Sequence, residues 1–377
     1  MSSDPPERLD ILHVAQPTVG GVARSVSDLL ADQIGRGWRV GVACPAAGDI
    51  AGAAREAAAE HVRWNARREP GPTVPAEALR LAAIVRSWKP NLVHLHSSKA
   101  GLAGRLALRG RLPTVFQPHG WSFDAAEGSI GRGAAAWERF ATRWSDVLVC
   151  VSDGERSRGE EQGLRAHWRV VPNGVDIEAL REASAGDRSA ARERLGLSGS
   201  PLVVCIGRLS AAKGQTLLLA GWPAVLERVP EAQLVLVGEG PDQEALEAQR
   251  VPGVRLAGHS TDVAEWLAAA DVVCVPSRRE GMSLVMLEAM ARGRSVVTTD
   301  VPGAQEALRD GGGIVVPGTD PPALAAALAE RLLDPTLTAA EGRAARQNVA
   351  HAHDLRRSTA AIAGLYGDVL AGREASS

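Results

Sequence analysis

Short apolar runs rich in Val, Ile and Leu recur along the chain. The first six are "LDILHVA" (9–15), "RVGVAC" (39–44), "NLVHLH" (91–96), "PTVFQ" (113–117), "DVLVCV" (146–151) and "WRVV" (168–171). Runs of this length and composition suit strands buried on both faces of a parallel sheet. Helical periodicity over 21–35, 76–88, 100–109, 131–144 and 153–162 separates them. A second series starts at "PLVVCIG" (201–207) and continues through "QLVLVG" (233–238), "VRLAG" (254–258), "DVVCVP" (271–276), "SVVTT" (295–299) and "GIVVP" (313–317). Only helices are predicted after residue 318. Alternating β and α elements imply an α/β fold with a doubly wound parallel sheet, here built twice.

The join lies in 173–200, which lacks strand character and is rich in charge, Ala, Gly and Ser. The expected organisation is a first domain over 1–175, a linker with a helix over 176–200, a second domain over 201–353, and a final helix and tail over 354–377. By fold analogy that last helix returns to brace the first domain.

Composition narrows the class. With 377 residues, 45% apolar and a formal charge of −2, the chain suits two globular domains and carries no bulk charge for nucleic acid. Of its 42 basic residues only Lys89, Lys99 and Lys213 are lysine, so Lys99 and Lys213, both in glycine-bounded loops, stand out. Cys44, Cys150, Cys205 and Cys274 sit in or at the ends of apolar runs without CxxC spacing, which predicts buried thiols rather than disulfides or metal ligands. "MSSDPPERLD" has no apolar leader core, and no run approaches 18 apolar residues. The expected location is therefore the cytoplasm.

The candidate chemistry lies where strands end. Gly20 and Gly21 in "QPTVGGVARS" let backbone approach a ligand at a helix N-terminus, although a plain strand-to-helix turn reads the same way. His94 and His96 are read as facing opposite sides of their strand, which leaves one for the ligand side. His119, before Gly120 at a strand end, is better placed. In "IGRLSAAKGQTLLLAG", Arg208 and Lys213 flank a loop that runs from Gly207 into a helix, a set that favours phosphate. Gly238 in "VGEGPDQ" bounds a similar turn.

The stretch "PSRREGMSLVMLEAMARG" (276–293) is richest. A strand ends, Glu280 and Gly281 follow, and a helix starts near Ser283. The first-turn amides of Met282, Ser283 and Leu284 would face a ligand. Glu280 would accept from sugar hydroxyls, and Glu288 from a diol such as ribose. Alternatively, Glu280 is solvated and Glu288 pairs with Arg292 one turn on.

Together the glycine pair, "PHG" (118–120), "VPNGVD" (171–176), "GRLSAAKG" and "EGMSLVMLEAMARG" resemble the GT-B glycosyltransferases of family 4, the "glycosyl transferases group 1" type, over roughly 9–350. The resemblance implies two facing Rossmann-like sheets with an interdomain cleft. It implies a nucleotide diphosphate sugar donor, such as a UDP- or GDP-sugar, held mainly on the second domain. Arg208 and Lys213 would grip the diphosphate, Glu280 the sugar hydroxyls and Glu288 the ribose. The Gly20 and Gly21 amides and His119 would close over the donor. Transfer would retain anomeric configuration by front-face attack, with no protein base, no cofactor and no metal.

The acceptor would be a glycan, a lipid-linked or small-molecule hydroxyl, in bacterial surface polysaccharide or glycolipid synthesis, with His96, Lys99 and Asn173 on its side. Lys99, Arg105, Arg109, Arg111, Arg132, Arg139 and Arg143 are candidates for a basic face at the inner leaflet of a membrane. Other enzymes of this fold, such as a nucleotide-sugar 2-epimerase, or a non-catalytic binding subunit, are the competing readings.

Overall fold

The computed structural model describes residues 8–125 and 128–375. The chain divides into two units: Met1–Asn173 with Arg356–Ser377, and Gly174–Leu355. In the first, seven parallel strands are β1 (Asp10–Ala15), β2 (Arg39–Cys44), β3 (Glu60–Arg63), β4 (Leu92–His96), β5 (Thr114–Gln117), β6 (Val147–Cys150) and β7 (Trp168–Val170). Their order is β3-β2-β1-β4-β5-β6-β7. The second unit has β8 (Leu202–Ile206), β9 (Gln233–Val237), β10 (Val254–Gly258), β11 (Val272–Val275), β12 (Ser295–Thr299) and β13 (Gly313–Val316), in order β10-β9-β8-β11-β12-β13. Strand order reverses once in each sheet, between β1 and β4 and between β8 and β11. Ligands of doubly wound sheets bind beyond the strand ends at such a point.

Twelve strands follow the apolar runs. The thirteenth, β3, reads "EHVR" at the sheet edge and is largely exposed, so it has no buried run to betray it. Both faces of the first sheet are covered. Ile11, Val42, Leu92 and Val115 pack with Val26 and Leu30 of the helix Gly21–Gly35. Ile362, Leu365, Tyr366 and Val369 of the C-terminal helix Leu355–Glu374 complete that layer. On the other face Leu12, Val14, Leu95 and Phe116 pack with Leu81 and Val85. The helix Leu355–Glu374 is also tied by Arg373 Nε to Asp146 at 2.7 Å and by Thr359 Oγ1 to Asp32 at 2.9 Å.

The segment 176–200, expected to be a linker, is part of the second unit. Arg346 donates to the carbonyls of Leu180 and Ile177 at 2.8 and 2.7 Å, Arg292 to that of Arg181 at 2.7 Å, and Arg294 to that of Ala183 at 3.1 Å. Within it the helix Ala185–Arg194 is held by Arg192 and Arg188 on Asp271, at 2.7 and 2.9 Å. Charge that reads as solvated in sequence is here structural. The four cysteines are free and buried, and burial pushes the Cys44 and Cys205 thiols up to about 12. Among the described residues no helix is long and apolar enough to cross a membrane.

Candidate active site

In the second unit the loops after β8 and β11 flank the reversal. The loop after β8 can lie close only because of its glycines. Gly207 and Gly238 have φ of 152° and 138°, and a Cβ on Gly238 would fall 2.1 Å from the Gly207 carbonyl oxygen. Gly214, at φ 69°, caps the helix Gln215–Arg228, and its Cβ would fall 1.9 Å from the carbonyl oxygen of Pro276. The amides of Arg278 and Arg279 donate to the carbonyl of Ala212 at 2.9 and 3.3 Å. The two loops are thus laced backbone to backbone.

That lacing sets Lys213 against Glu280. The Lys213 ammonium is ion-paired with Glu280 Oε1, and Ser277 Oγ donates to Glu280 Oε2 at 2.7 Å. Sequence reasoning gave these two residues separate partners and did not single out Ser277. Arg208 is exposed, and no side chain among the described residues pairs with its guanidinium. The helix Gln215–Arg228 has no side-chain cap, so its first N–H groups add positive potential beside the two cations.

Beyond Glu280, Gly281, Met282 and Ser283 are buried and Leu284 half-buried. Ser283 Oγ accepts from the Met286 amide at 3.4 Å and caps the helix Leu284–Ala291, which carries Glu288. Arg292, the alternative partner for Glu288, turns to the Arg181 carbonyl.

In the first unit, Gly20 (φ 76°) and Gly21 open the helix Gly21–Gly35 after β1. Both are exposed, that helix too lacks a side-chain cap, and a Cβ on Gly20 would meet nothing within 4 Å. His119 follows β5 with a left-handed φ of 52° and is half-buried. Its neighbour Gly120 donates its N–H to Glu155 Oε1 at 2.5 Å, while Val151 N–H meets Glu155 Oε2 at 2.8 Å. Glu155 is buried, and that desolvation pushes its carboxyl up to about 7 against the two N–H bonds. The signal for it is the capping pattern "SDGE" (152–155), in which Ser152 Oγ accepts from the Glu155 amide.

Several expectations are corrected. His94 and His96 share one face, with ring centroids 3.9 Å apart, because residues two apart on a strand point the same way. His96 is fully buried and reaches no ligand surface. Its Nδ1 is 3.1 Å from His119 Nε2 and its Nε2 is 2.9 Å from His13 Nδ1. Burial drives His13 and His119 down to about 4, and His94 and His96 well below the usual imidazole value. His13, His94 and His96 bring three ring nitrogens within 4.8 Å of one another, the ligand type of a transition-metal site. His13 and His96 are bonded ring to ring, and His94 Nδ1 meets the Tyr366 hydroxyl at 2.6 Å, while the buried His94 Nε2 has no hydrogen-bond partner among the described residues.

Lys99 is buried, not presented to an acceptor. Its ammonium lies 2.6 Å from Glu77 Oε2, with both side chains 2% exposed. Burial alone would raise the Glu77 carboxyl, but Lys99, the Arg67 amide and the Thr73 hydroxyl together hold it below its usual value. Arg105 is likewise buried on Glu138 at 2.7 Å. Both leave the basic face, while Arg109, Arg111, Arg132, Arg139 and Arg143 are exposed. Asn173 is half-buried at the end of the first unit's main segment.

Two family models match the chain in series: Glycosyltransferase Family 4 over residues 19–179 and Glycosyl transferases group 1 over 200–334. A GDP-mannose-dependent alpha-(1-6)-phosphatidylinositol monomannoside mannosyltransferase of Mycobacterium tuberculosis is 32% identical over 309 residues, 74% of this chain and 75% of that protein. A GDP-mannose-dependent monoacylated alpha-(1-6)-phosphatidylinositol monomannoside mannosyltransferase of Corynebacterium glutamicum is 29% identical over 88% of this chain and 90% of its own. Among solved structures, Anabaena Alr3699/HepE in complex with UDP and glucose superposes with a TM-score of 0.82 at 22% identity, over 95% of this chain and 99% of that one. On its two sheets, its paired family models and its third-identical relative, the chain belongs to the family 4 glycosyltransferases of GT-B fold, the glycosyl transferases group 1.

Proposed function

We propose that this glycosyltransferase moves a sugar from a nucleoside diphosphate sugar to an acceptor hydroxyl, with retention of configuration, in the assembly of a glycolipid or surface polysaccharide. The observation that carries the reading is the Lys213–Glu280–Ser277 set at the strand reversal, with the unpaired Arg208 beside it. Arg208, Lys213 and the open helix N-terminus suit a diphosphate. Glu280 suits sugar hydroxyls, and Glu288 a ribose. The relatives' dependence on GDP-mannose makes it the first candidate donor; the structural neighbour's complex with UDP-glucose makes that the second.

In the transfer, the bond from the sugar C1 to the β-phosphate oxygen breaks and a bond from C1 to the acceptor oxygen forms on the same face. The acceptor's proton passes to the departing phosphate oxygen. Arg208 and Lys213 hold the charge that grows on that phosphate. They supply the electrostatic role that a divalent metal would otherwise fill, which supports metal-independent transfer. Ion pairing in the free protein keeps Lys213 and Glu280 aimed at the same point until the ligand replaces each partner.

We assign the acceptor to the first unit. Arg132, Arg139 and Arg143, with Ile130 and Phe140 at 73% and 43% exposure, suit contact with an anionic lipid surface. A pocket of about 1400 Å³ includes Arg139 and Arg143 and adds Arg165 and Arg169 to that face, with Asp368 and the Arg373–Asp146 pair also in its wall.

The test is a melting panel with UDP, GDP, ADP, TDP and their common sugars, with and without EDTA. A ligand at 100 times its Kd adds about 2.7 kcal/mol. A shift for one nucleotide family that EDTA leaves intact supports the reading and identifies the base. No shift with any nucleotide sinks the donor site and favours a non-catalytic role.

A further inference from the structure

A line of buried side chains in the first unit has no place in the chemistry above. His13 on β1 and His94 and His96 on β4 lie on the sheet face covered by the helices Gly21–Gly35 and Leu355–Glu374. Gln33 and Tyr366 come from those helices, and all five side chains are fully buried. Gln33 Oε1 is 2.9 Å from His13 Nε2, His13 Nδ1 is 2.9 Å from His96 Nε2, and His96 Nδ1 is 3.1 Å from His119 Nε2. At the inner end Gln33 Nε2 lies 3.5 Å from the Tyr366 hydroxyl, which lies 2.6 Å from His94 Nδ1.

A neutral imidazole has one N–H and one bare nitrogen. A row of them in nitrogen-to-nitrogen contact has one freedom: placing the first proton places all the others. Tyr366 places it. If its O–H donates to His94 Nδ1, its oxygen is left to accept from Gln33 Nε2, which turns Gln33 Oε1 toward His13. That oxygen can only accept. His13 therefore carries its proton on Nε2 and leaves Nδ1 bare, His96 donates to it from Nε2, and His119 donates from Nε2 to His96. His119 Nδ1 is left as a lone pair, at the half-buried end of the row.

We infer that Gln33, oriented by Tyr366, sets the tautomer of His119 through His13 and His96, so that the site receives a hydroxyl at Nδ1 rather than a phosphate or other anion. Gln33, His13 and His96 are positioning residues, buried away from any ligand. Naming the hydroxyl as a sugar's rests on the proposed transfer; the tautomer is a property of the free protein.

The test is a two-bond proton–nitrogen NMR correlation on ligand-free protein labelled with nitrogen-15 at histidine, at neutral pH. His119→Asn identifies the His119 signals. The expected wild-type result is a bare Nδ1 and a protonated Nε2 on His13, His96 and His119. Gln33→Met removes the acceptor and should give His119 as a mixture of tautomers, while Gln33→Glu keeps an acceptor oxygen and should restore one. If Gln33→Met does not fold, Tyr366→Phe frees the amide to turn and should give the same mixture. A protonated Nδ1 on wild-type His119 overturns the inference, as does an unchanged single tautomer in a folded Gln33→Met or Tyr366→Phe. Failure of the nucleotide melting panel leaves this result untouched, so the two readings fail separately.

Discussion

Lys213 and Glu280, 67 residues apart in sequence, are ion-paired where the strand order of the second sheet reverses. The lysine comes from the loop after β8 and the glutamate from the loop after β11. The Ala212 carbonyl, taking amides from Arg278 and Arg279, fixes one loop on the other. The pair is partly exposed, so its own contribution to stability is about 0–1 kcal/mol. Its value lies in placement.

Lys213→Ala and Glu280→Gln should each lower turnover by about 100- to 1000-fold, the usual loss when one aligned electrostatic group is removed. Melting temperature should change little. Transfer rate measured alongside circular dichroism checks this; wild-type turnover in either folded variant removes these residues from the site.

Gly214→Ala and Gly238→Ala should disturb the second unit, because each new methyl meets a backbone oxygen at 1.9 or 2.1 Å. Loss of the nucleotide-induced melting shift is expected in both. Gly20→Ala has open space and backbone strain only, at φ 76° and ψ −154°, a cost of about 1–3 kcal/mol. Equal melting losses in all three variants would contradict the packing argument.

Acid should destabilise the first unit from within. Burial holds folded His13 neutral down to about 4, whereas its ordinary value is 6.5. Between those values the unfolded chain binds more protons, so stability falls as pH drops through that window and is fully present above 6.5. The full shift is worth on the order of 3 kcal/mol. Following the His13 ring by NMR during the titration, beside the melting temperature, checks it. A His13 ring that titrates near 6.5 in folded protein refutes it.

Lys99→Met should cost about 3–5 kcal/mol, because it strands the Glu77 carboxylate in the interior. Lys99→Met with Glu77→Gln should recover part of that loss, since the amide keeps an oxygen for the Arg67 amide and the Thr73 hydroxyl. Denaturant midpoints of the two variants decide it; equal midpoints would show that the charge is not what costs.

The sequence makes the sheets and the second unit's loops legible. Buried strands are continuous apolar runs, and glycines mark the loops where backbone meets backbone. It hides what depends on partners far along the chain. Nothing near Lys99 announces Glu77, and nothing near Arg105 announces Glu138, so both cations read as surface charge. The histidines mislead for another reason: strand geometry puts His94 and His96 on one face, and only the fold adds His13 between them and Gln33. Glu155 was within reach through its capping pattern, but its bond to Gly120 spans 35 residues.

The C-terminal helix Leu355–Glu374 has a consequence for how the protein is born. Ile362, Leu365, Tyr366 and Val369 fill a core whose strands begin at residue 10. A ribosome must make the entire Gly174–Leu355 unit before it supplies them. Domains usually finish in the order in which they emerge. Here the half begun first is completed last: the helix Gly21–Gly35 can cover its share of the histidine-bearing face early, but the share under Leu355–Glu374 stays open for as long as translation of the other half takes.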